Sequence, residues 1–406
     1  GGCAVGGGGA GGRGGGGAGL ARVQGVTRLT CRTRYRANGD ATQFARGRRS
    51  VDRAHHQPHP PGYIGYIALG RLLLPIFGDA NSTLVAVSIA AEAATVAVGF
   101  LFARVMFGRF AAWTTGRALP AVPAFWQSAD VAHTSVLEPP PVLLVALPCW
   151  RLRQGDARFA NPTALALGLA GALRPSTMVL LTPLFLLALR RSAPLPIVLR
   201  SLGIYALAAA SWVIPLLILA GGPMRLLAAS LQLGDSVTAG TAVWHDLRDP
   251  ILTGNAVLTG LGWELGLFTV WLIFGLLVAP RLLGRRILPR EWTFFCWAWV
   301  APGLLTFLLI HIGQLVYVQV FAPALFLCLG PALQATAEAI GRPRFAPVLL
   351  AVSAVTSGLI FLISLGSLAG RLRLHALRVE PLLAVAAANG PPPPRPSTPR
   401  YPVWSS

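Results

Sequence analysis

The sequence predicts an all-α polytopic membrane protein: a bundle of about eight to ten transmembrane helices with an external loop that carries surface helices. Three observations lead there. Of 406 residues, 54% are hydrophobic and only 12% are charged, and the mean hydropathy is +0.61. A soluble domain is usually about one-quarter charged, so these charges are too few to coat a water-soluble particle. Apolar runs also recur along the chain, and they must be helices, because an open sheet leaves backbone groups unsatisfied in lipid.

The elements follow in order. Residues 1–33 are Gly-rich and then Arg-rich, without the apolar core of a signal peptide, and are expected to be disordered. A transmembrane body is expected over 34–380, with an external loop at 34–81, and a disordered Pro-rich tail over 381–406. Apolar runs occupy 63–77, 83–103, 111–126, 142–150, 162–173, 177–189, 195–220, 257–279, 292–310, 315–333 and 346–368. A crossing needs about 20 residues. The shorter runs are therefore expected to be half-helices or re-entrant pieces.

The net charge of +20 does not indicate nucleic-acid binding. No Lys is present, so all 34 basic residues are Arg, and most outside the N-terminal stretch sit at the ends of apolar runs. That placement orients a membrane protein. Without Lys there is no Walker A loop and no Schiff-base chemistry. The five Cys have no paired spacing and three lie in apolar runs, which argues against a disulfide framework or a zinc knuckle.

Arg clusters at 104/109/117, 151/153/158, 190/191/200, 281/285/286/290 and 342/344 are assigned to the cytoplasm. The loops around Asp130 and Glu138, residues 221–260 and His311 then lie outside. Residues 63–77 become an external helix on or in the membrane surface. Arg371, Arg373 and Arg378 fall outside and break the rule.

Acidic residues are rare, eight Asp and six Glu. Charge is costly near a bilayer, so each one is a candidate. On this topology Asp40, Asp52, Asp79, Asp130, Glu138, Asp235, Asp246 and Asp249 share the external face with His55, His56, His59, His133, His245 and His311. Glu92 lies inside an apolar run. The stretch DATQFARGRRSVDRAHHQPHPPGYIGY is the densest signal. His55, His56 and His59 have a spacing reminiscent of metal ligands, but Pro58, Pro60 and Pro61 forbid a regular helix there. No metal site is therefore assigned.

This stretch resembles the first external loop of the GT-C superfamily of membrane glycosyltransferases, which includes protein O-mannosyltransferases and aminoarabinose transferases. In that group an Asp follows the first span and a Pro-Pro turn opens a surface helix. LFARVMFGR, SADVAHTSVLE, ALGLAGALRPSTMVLLTPL and HIGQLVYVQVFAPAL resemble later family segments in the same order, so the likeness covers roughly Tyr35 to Leu368. The family has a span before the Asp loop. Here Gly19 to Cys31 holds Arg22 and Arg28, with Arg32 following, each costing about 2.5–3.5 kcal/mol at a span centre, so that first span is expected to be missing.

The resemblance implies an inverting-type glycosyltransferase that moves a sugar from a polyprenyl-phosphate donor to an acceptor hydroxyl on the extracytoplasmic side. It assigns Asp40 as catalytic base, with Asp130 as the second catalytic acid and Asp52 as rival to Asp40. Asp52, His55, His56, His59, Glu138, Arg174, His311 and Gln314 are assigned to substrate binding. Arg174 stands between two apolar runs before Pro175, where its planar fork suits a lipid phosphate. A divalent metal is compatible with this chemistry and not required by it. The partners implied are the lipid-linked donor and the bilayer, with no nucleic acid, in a bacterial plasma membrane. The alternatives are an inactive or truncated family member and a secondary transporter; the transporter reading is weakened because no internal repeat is visible and the acids lie in loops.

Overall fold

The computed structural model describes Gly19, residues 63–122, Phe125, and residues 134–238, 249–310 and 315–360. The Gly-rich start, the Pro-rich tail and the stretches holding Asp40, Asp130 and His311 lie outside the described residues. The described residues form helices and turns, with no strand among them. The main body ends at Ser357, and Gly358–Ile360 belong to a second unit.

Thirteen helices are named here in chain order: α1 (Ile64–Phe77), α2 (Ala80–Phe107), α3 (Arg109–Ala121), α4 (Pro139–Arg153), α5 (Ala160–Leu173), α6 (Pro175–Ser192), α7 (Leu195–Leu219), α8 (Pro223–Thr238), α9 (Asp249–Leu265), α10 (Phe268–Leu283), α11 (Arg290–Leu309), α12 (Ala322–Ala339) and α13 (Pro343–Ile360). Four stretches, Ser82–Phe107 in α2, α7, α11 and α13, are each long and apolar enough to cross a bilayer, and the bent pair α9–α10 makes a fifth. Helices α3–α6 and α12, of 13–18 residues, are short for a crossing on their own.

The chain is an all-helical integral membrane protein, and α7 shows the lipid-facing logic most clearly. Its 25 residues span about 37 Å at 1.5 Å per residue. Ser201, Ala208, Trp212 and Leu216 form its buried stripe, while Leu207 is 74% and Ile218 73% exposed. Large apolar side chains such as Leu207 and Ile218 face outward, as lipid contact allows, while the small Ser201 and Ala208 let the buried side approach its neighbour closely. The stripe packs on α5. A Cβ on Gly168 would stand 2.5 Å from the Ala208 Cβ and 2.9 Å from the Tyr205 carbonyl oxygen, so only glycine permits this crossing. Trp212 Nε1 donates to the Gly168 carbonyl at 2.8 Å, which ties the two helices together.

Near the ends of α2, α4 and α11 the core is aromatic. The Trp292 ring meets Phe102, Phe107, Trp150 and Phe295 at centroid distances of 5.3–5.9 Å. Thr115 Oγ1 donates to the Phe326 carbonyl at 3.0 Å, joining α3 to α12. Cys149, Cys296 and Cys328 are free thiols.

Two apolar runs differ from the sequence expectation. The run at 257–279 is not one helix: α9 and α10 meet at 103°, with Gly266 at φ +54° in the break. A left-handed residue at the junction ends one helix before the next begins. The run at 315–333 is a 3-10 turn, Leu315–Val320, followed by α12, with Pro323 early in the helix. Hydropathy does not distinguish the two helix types.

Ion pairs group the Arg clusters as the topology requires. Arg153 at the end of α4 donates to Glu291 at the start of α11 at 2.9 Å, and Arg191 at the end of α6 reaches the same carboxylate at 3.5 Å. Arg285, just past α10, pairs with Glu338 near the end of α12. These clusters therefore share one end of the bundle, here called the Arg-rich end.

Candidate active site

The opposite end holds a buried polar cluster, and local sequence rules build it. Arg174 precedes Pro175, and a residue before proline is driven out of the helical region. Arg174 is accordingly extended, at φ −147° and ψ 108°, so α5 stops at Leu173 and α6 starts with proline in its first turn. The break leaves the Arg174 side chain at the mouth of two helices. Glu138 lies just before Pro139–Pro140–Pro141, and proline is tolerated there because a helix's first N–H groups have no partner within it.

Arg174 and Glu138 form an ion pair, Nη1 to Oε2 at 3.2 Å, with Arg174 6% and Glu138 2% exposed. Arg174 Nη1 also donates to Ser135 Oγ at 2.9 Å, and Thr177 Oγ1 donates to Glu138 Oε1 at 2.9 Å. The Arg174 guanidinium stands 5.0 Å from the Tyr317 ring centroid, in cation–π range. A charged pair this dry survives because each partner neutralises the other, with hydrogen bonds to Ser135 and from Thr177 satisfying part of the remaining polar surface. Arg174 Nε has no hydrogen-bond partner among the described residues.

The turn Leu315–Val320 links this cluster to a second buried carboxylate. Tyr317 covers Arg174, and two residues on, Gln319 Nε2 donates to Glu264 Oε1 at 2.9 Å. Glu264 is fully buried at the end of α9, immediately before the 103° bend, and its Oε2 has no hydrogen-bond partner among the described residues. Trp299 Nε1 donates to the Val320 carbonyl at 2.9 Å and fixes the turn's far end. In the sequence Glu264 is hidden inside the apolar run 257–279. Its signal was a lone acid between Gly262 and Gly266.

Of the ten residues assigned to the site from sequence, Glu138 and Arg174 are described, and they come together. Asp40, Asp52, His55, His56, His59, Asp130, His311 and Gln314 lie outside the described residues. Two described elements flank those segments, however. α1 follows the Asp40–His59 stretch and packs its Gly65 against Ala172, next to Arg174. The turn at Leu315 follows His311 and Gln314 and carries Tyr317 to Arg174. Glu92, in α2, is fully buried. Among the described residues no group of three or more His, Cys, Asp or Glu could hold a metal ion.

No family model and no curated protein matches the sequence. By structure the chain is similar to ArnT from Cupriavidus metallidurans, solved bound to undecaprenyl phosphate, with a TM-score of 0.59 at 15% identity over 88% of this chain and 72% of that one. The fold is of the GT-C type. That agrees with the resemblance drawn from the loop and helix segments of the sequence. The polar cluster at Arg174 thus sits at one end of a GT-C-type bundle, and the Arg-rich end is opposite.

Proposed function

We propose that this protein is an inverting glycosyltransferase that moves a sugar from a polyprenyl-phosphate donor to an acceptor hydroxyl on the extracytoplasmic side. The observation that carries the reading is the buried Arg174–Glu138 pair, set at a helix break at the end away from the Arg-rich face. The positive-inside rule supports assigning that end to the extracytoplasmic side. The GT-C-type fold supports the reaction class, and the undecaprenyl phosphate of the similar structure supports a lipid-linked donor.

In this reading the acceptor oxygen attacks the anomeric carbon while the bond from that carbon to the phosphate oxygen breaks. The sugar inverts and the lipid phosphate leaves with the bonding electrons. Asp40 takes the hydroxyl proton, a role that needs an ionised carboxylate within hydrogen-bond reach. Asp130 is assigned as the second catalytic acid, and Asp52, His55, His56 and His59 to orienting donor or acceptor. Arg174 meets the departing phosphate with its guanidinium, held in place by Glu138, Ser135 and Tyr317. His311 and Gln314, a few residues before Tyr317 in the sequence, are assigned to substrate binding.

The test is mass spectrometry of membranes from cells with and without the intact gene. The expected result is one glycosylated lipid or protein missing in the deletion and restored by the gene, but not by its Asp40→Asn form. Identical glycan profiles in the two strains would refute the reading.

A further inference from the structure

At the Arg-rich end, the termini of α4, α6 and α11 enclose an open cleft of about 500 Å³. Four guanidiniums line it, those of Arg153, Arg190, Arg191 and Arg290, against one carboxylate, Glu291. The local balance is four positive to one negative, or +3. Glu291 already serves Arg153 at 2.9 Å and Arg191 at 3.5 Å. Arg190 and Arg290 have no ion-pair partner among the described residues.

Basic residues at membrane ends are ordinarily solvated, and a cluster alone would not define a site. Arg153 sets this one apart. Its side chain is 8% exposed, it lies over the Phe294 ring at 4.6 Å, and its Nε is buried with no hydrogen-bond partner. A buried cation therefore lines a cleft in which two further cations, Arg190 and Arg290, have no counter-charge among the described residues. The remaining wall is apolar and outward-facing, with Leu187 39% and Phe294 49% exposed. Guanidiniums beside an apolar wall at the membrane edge match a phosphate joined to an acyl chain better than a soluble anion.

We infer that this cleft binds the phosphate of an anionic phospholipid headgroup, with the acyl chain running along Leu187 and Phe294. Arg190 and Arg290 supply the free charges, and Arg153 supplies a fixed donor from the floor. Basic pockets between helix ends on the cytoplasmic side bind anionic headgroups by this chemistry. The site lies at the end of the bundle opposite Arg174 and stands independently of the glycosyltransferase reading.

The test uses the full chain, purified in detergent and stripped of lipid, titrated with phosphatidylglycerol, phosphatidylcholine or inorganic phosphate, and read by native mass spectrometry and thermal shift. Saturable binding of phosphatidylglycerol over phosphatidylcholine is expected, weakened about 10–30-fold in Arg190→Ala/Arg290→Ala. The control Arg109→Ala/Arg344→Ala removes the same charge from exposed positions at the same end and should bind normally. Arg190→Gln/Arg290→Gln replaces the alanine pair if that variant fails to fold. Equal loss in the cleft and control pairs, or equal binding of the two lipids, would overturn the site. Inorganic phosphate matching phosphatidylglycerol would overturn the lipid assignment.

Discussion

Replacing Arg174 tests whether the buried pair exists for stability or for chemistry. In Arg174→Met the cation is lost while most of the volume stays. Glu138, 2% exposed, then keeps only the hydrogen bond from Thr177 and faces no opposite charge. Breaking a buried pair in this way costs about 3–5 kcal/mol, because an uncompensated charge remains. Glu138→Leu strands the guanidinium instead, with Ser135 and the Tyr317 ring as its remaining partners, and should cost a similar amount. The double variant removes both charges and should fall within about 1 kcal/mol of the parent, or exceed it, since apolar replacement of a buried pair is often neutral or stabilising.

The assay is equilibrium unfolding in mixed detergent, followed by tryptophan fluorescence, with a double-mutant cycle to isolate the coupling. If both single variants lose less than 1 kcal/mol, the pair is solvated and the argument from burial fails. If the double variant loses the sum of the two single losses, there is no coupling and the argument fails equally. A second readout separates folding from function. The stable double variant should lose binding of the polyprenyl-phosphate donor, and Arg174→Lys, which keeps charge without the planar fork, should bind it more weakly. Unchanged donor affinity in the double variant would remove Arg174 from the site while leaving the folding result intact.

The other predictions concern the base, the topology, the core and the second carboxylate. Asp40→Asn should lower transfer by about 10²-fold or more with folding kept; near-normal turnover there, with loss in Asp52→Asn, moves the role to Asp52. In a background without native cysteines, external thiol labelling should reach Arg53→Cys and His133→Cys but not Gly155→Cys or Arg286→Cys; labelling of 53 and 155 from one side would refute the assigned sides. Trp292→Ala should cost about 3–5 kcal/mol, because it empties a ring packed on four aromatic neighbours; a loss under 1 kcal/mol in the same unfolding assay would contradict that packing. Glu264→Gln can still accept from Gln319 and should fold normally, whereas Glu264→Leu leaves the buried Gln319 amide without that acceptor and should cost about 1–3 kcal/mol; equal stability of the two would show that the bond carries no weight.

The bundle was legible because lipid imposes simple rules. Apolar runs at 83–103, 195–220 and 292–310 correspond to α2, α7 and α11 within a few residues at either end. Arg at run ends gave the grouping that the Arg153–Glu291–Arg191 and Arg285–Glu338 contacts now show. What hydropathy cannot carry is backbone direction inside an apolar stretch. The bend between α9 and α10 depends on one positive φ at Gly266, and a Gly-containing apolar run reads the same whether it bends or continues straight. The turn at Leu315–Val320 is likewise apolar in composition, and only its packing against α9 and Trp299 separates it from α12.

The site was legible in pieces and not as an assembly, for a related reason. Each piece follows from a local rule: Arg-Pro breaks a helix and leaves a cation at the break, and a lone Glu before three prolines marks the start of another helix. The pairing of Arg174 with Glu138 follows from no local rule, because it depends on α4 and α6 packing side by side. The same holds for Tyr317, which reaches Arg174 only because the chain pauses in a 3-10 turn before α12. That turn places Tyr317 on one buried carboxylate's cation and Gln319 on the other buried carboxylate itself. Displacing the turn would therefore disturb Arg174 and Glu264 together, although they sit on helices that are far apart in sequence. An apolar run with one Tyr and one Gln two residues apart thus carries the link between two charged centres, and the link becomes visible only in three dimensions.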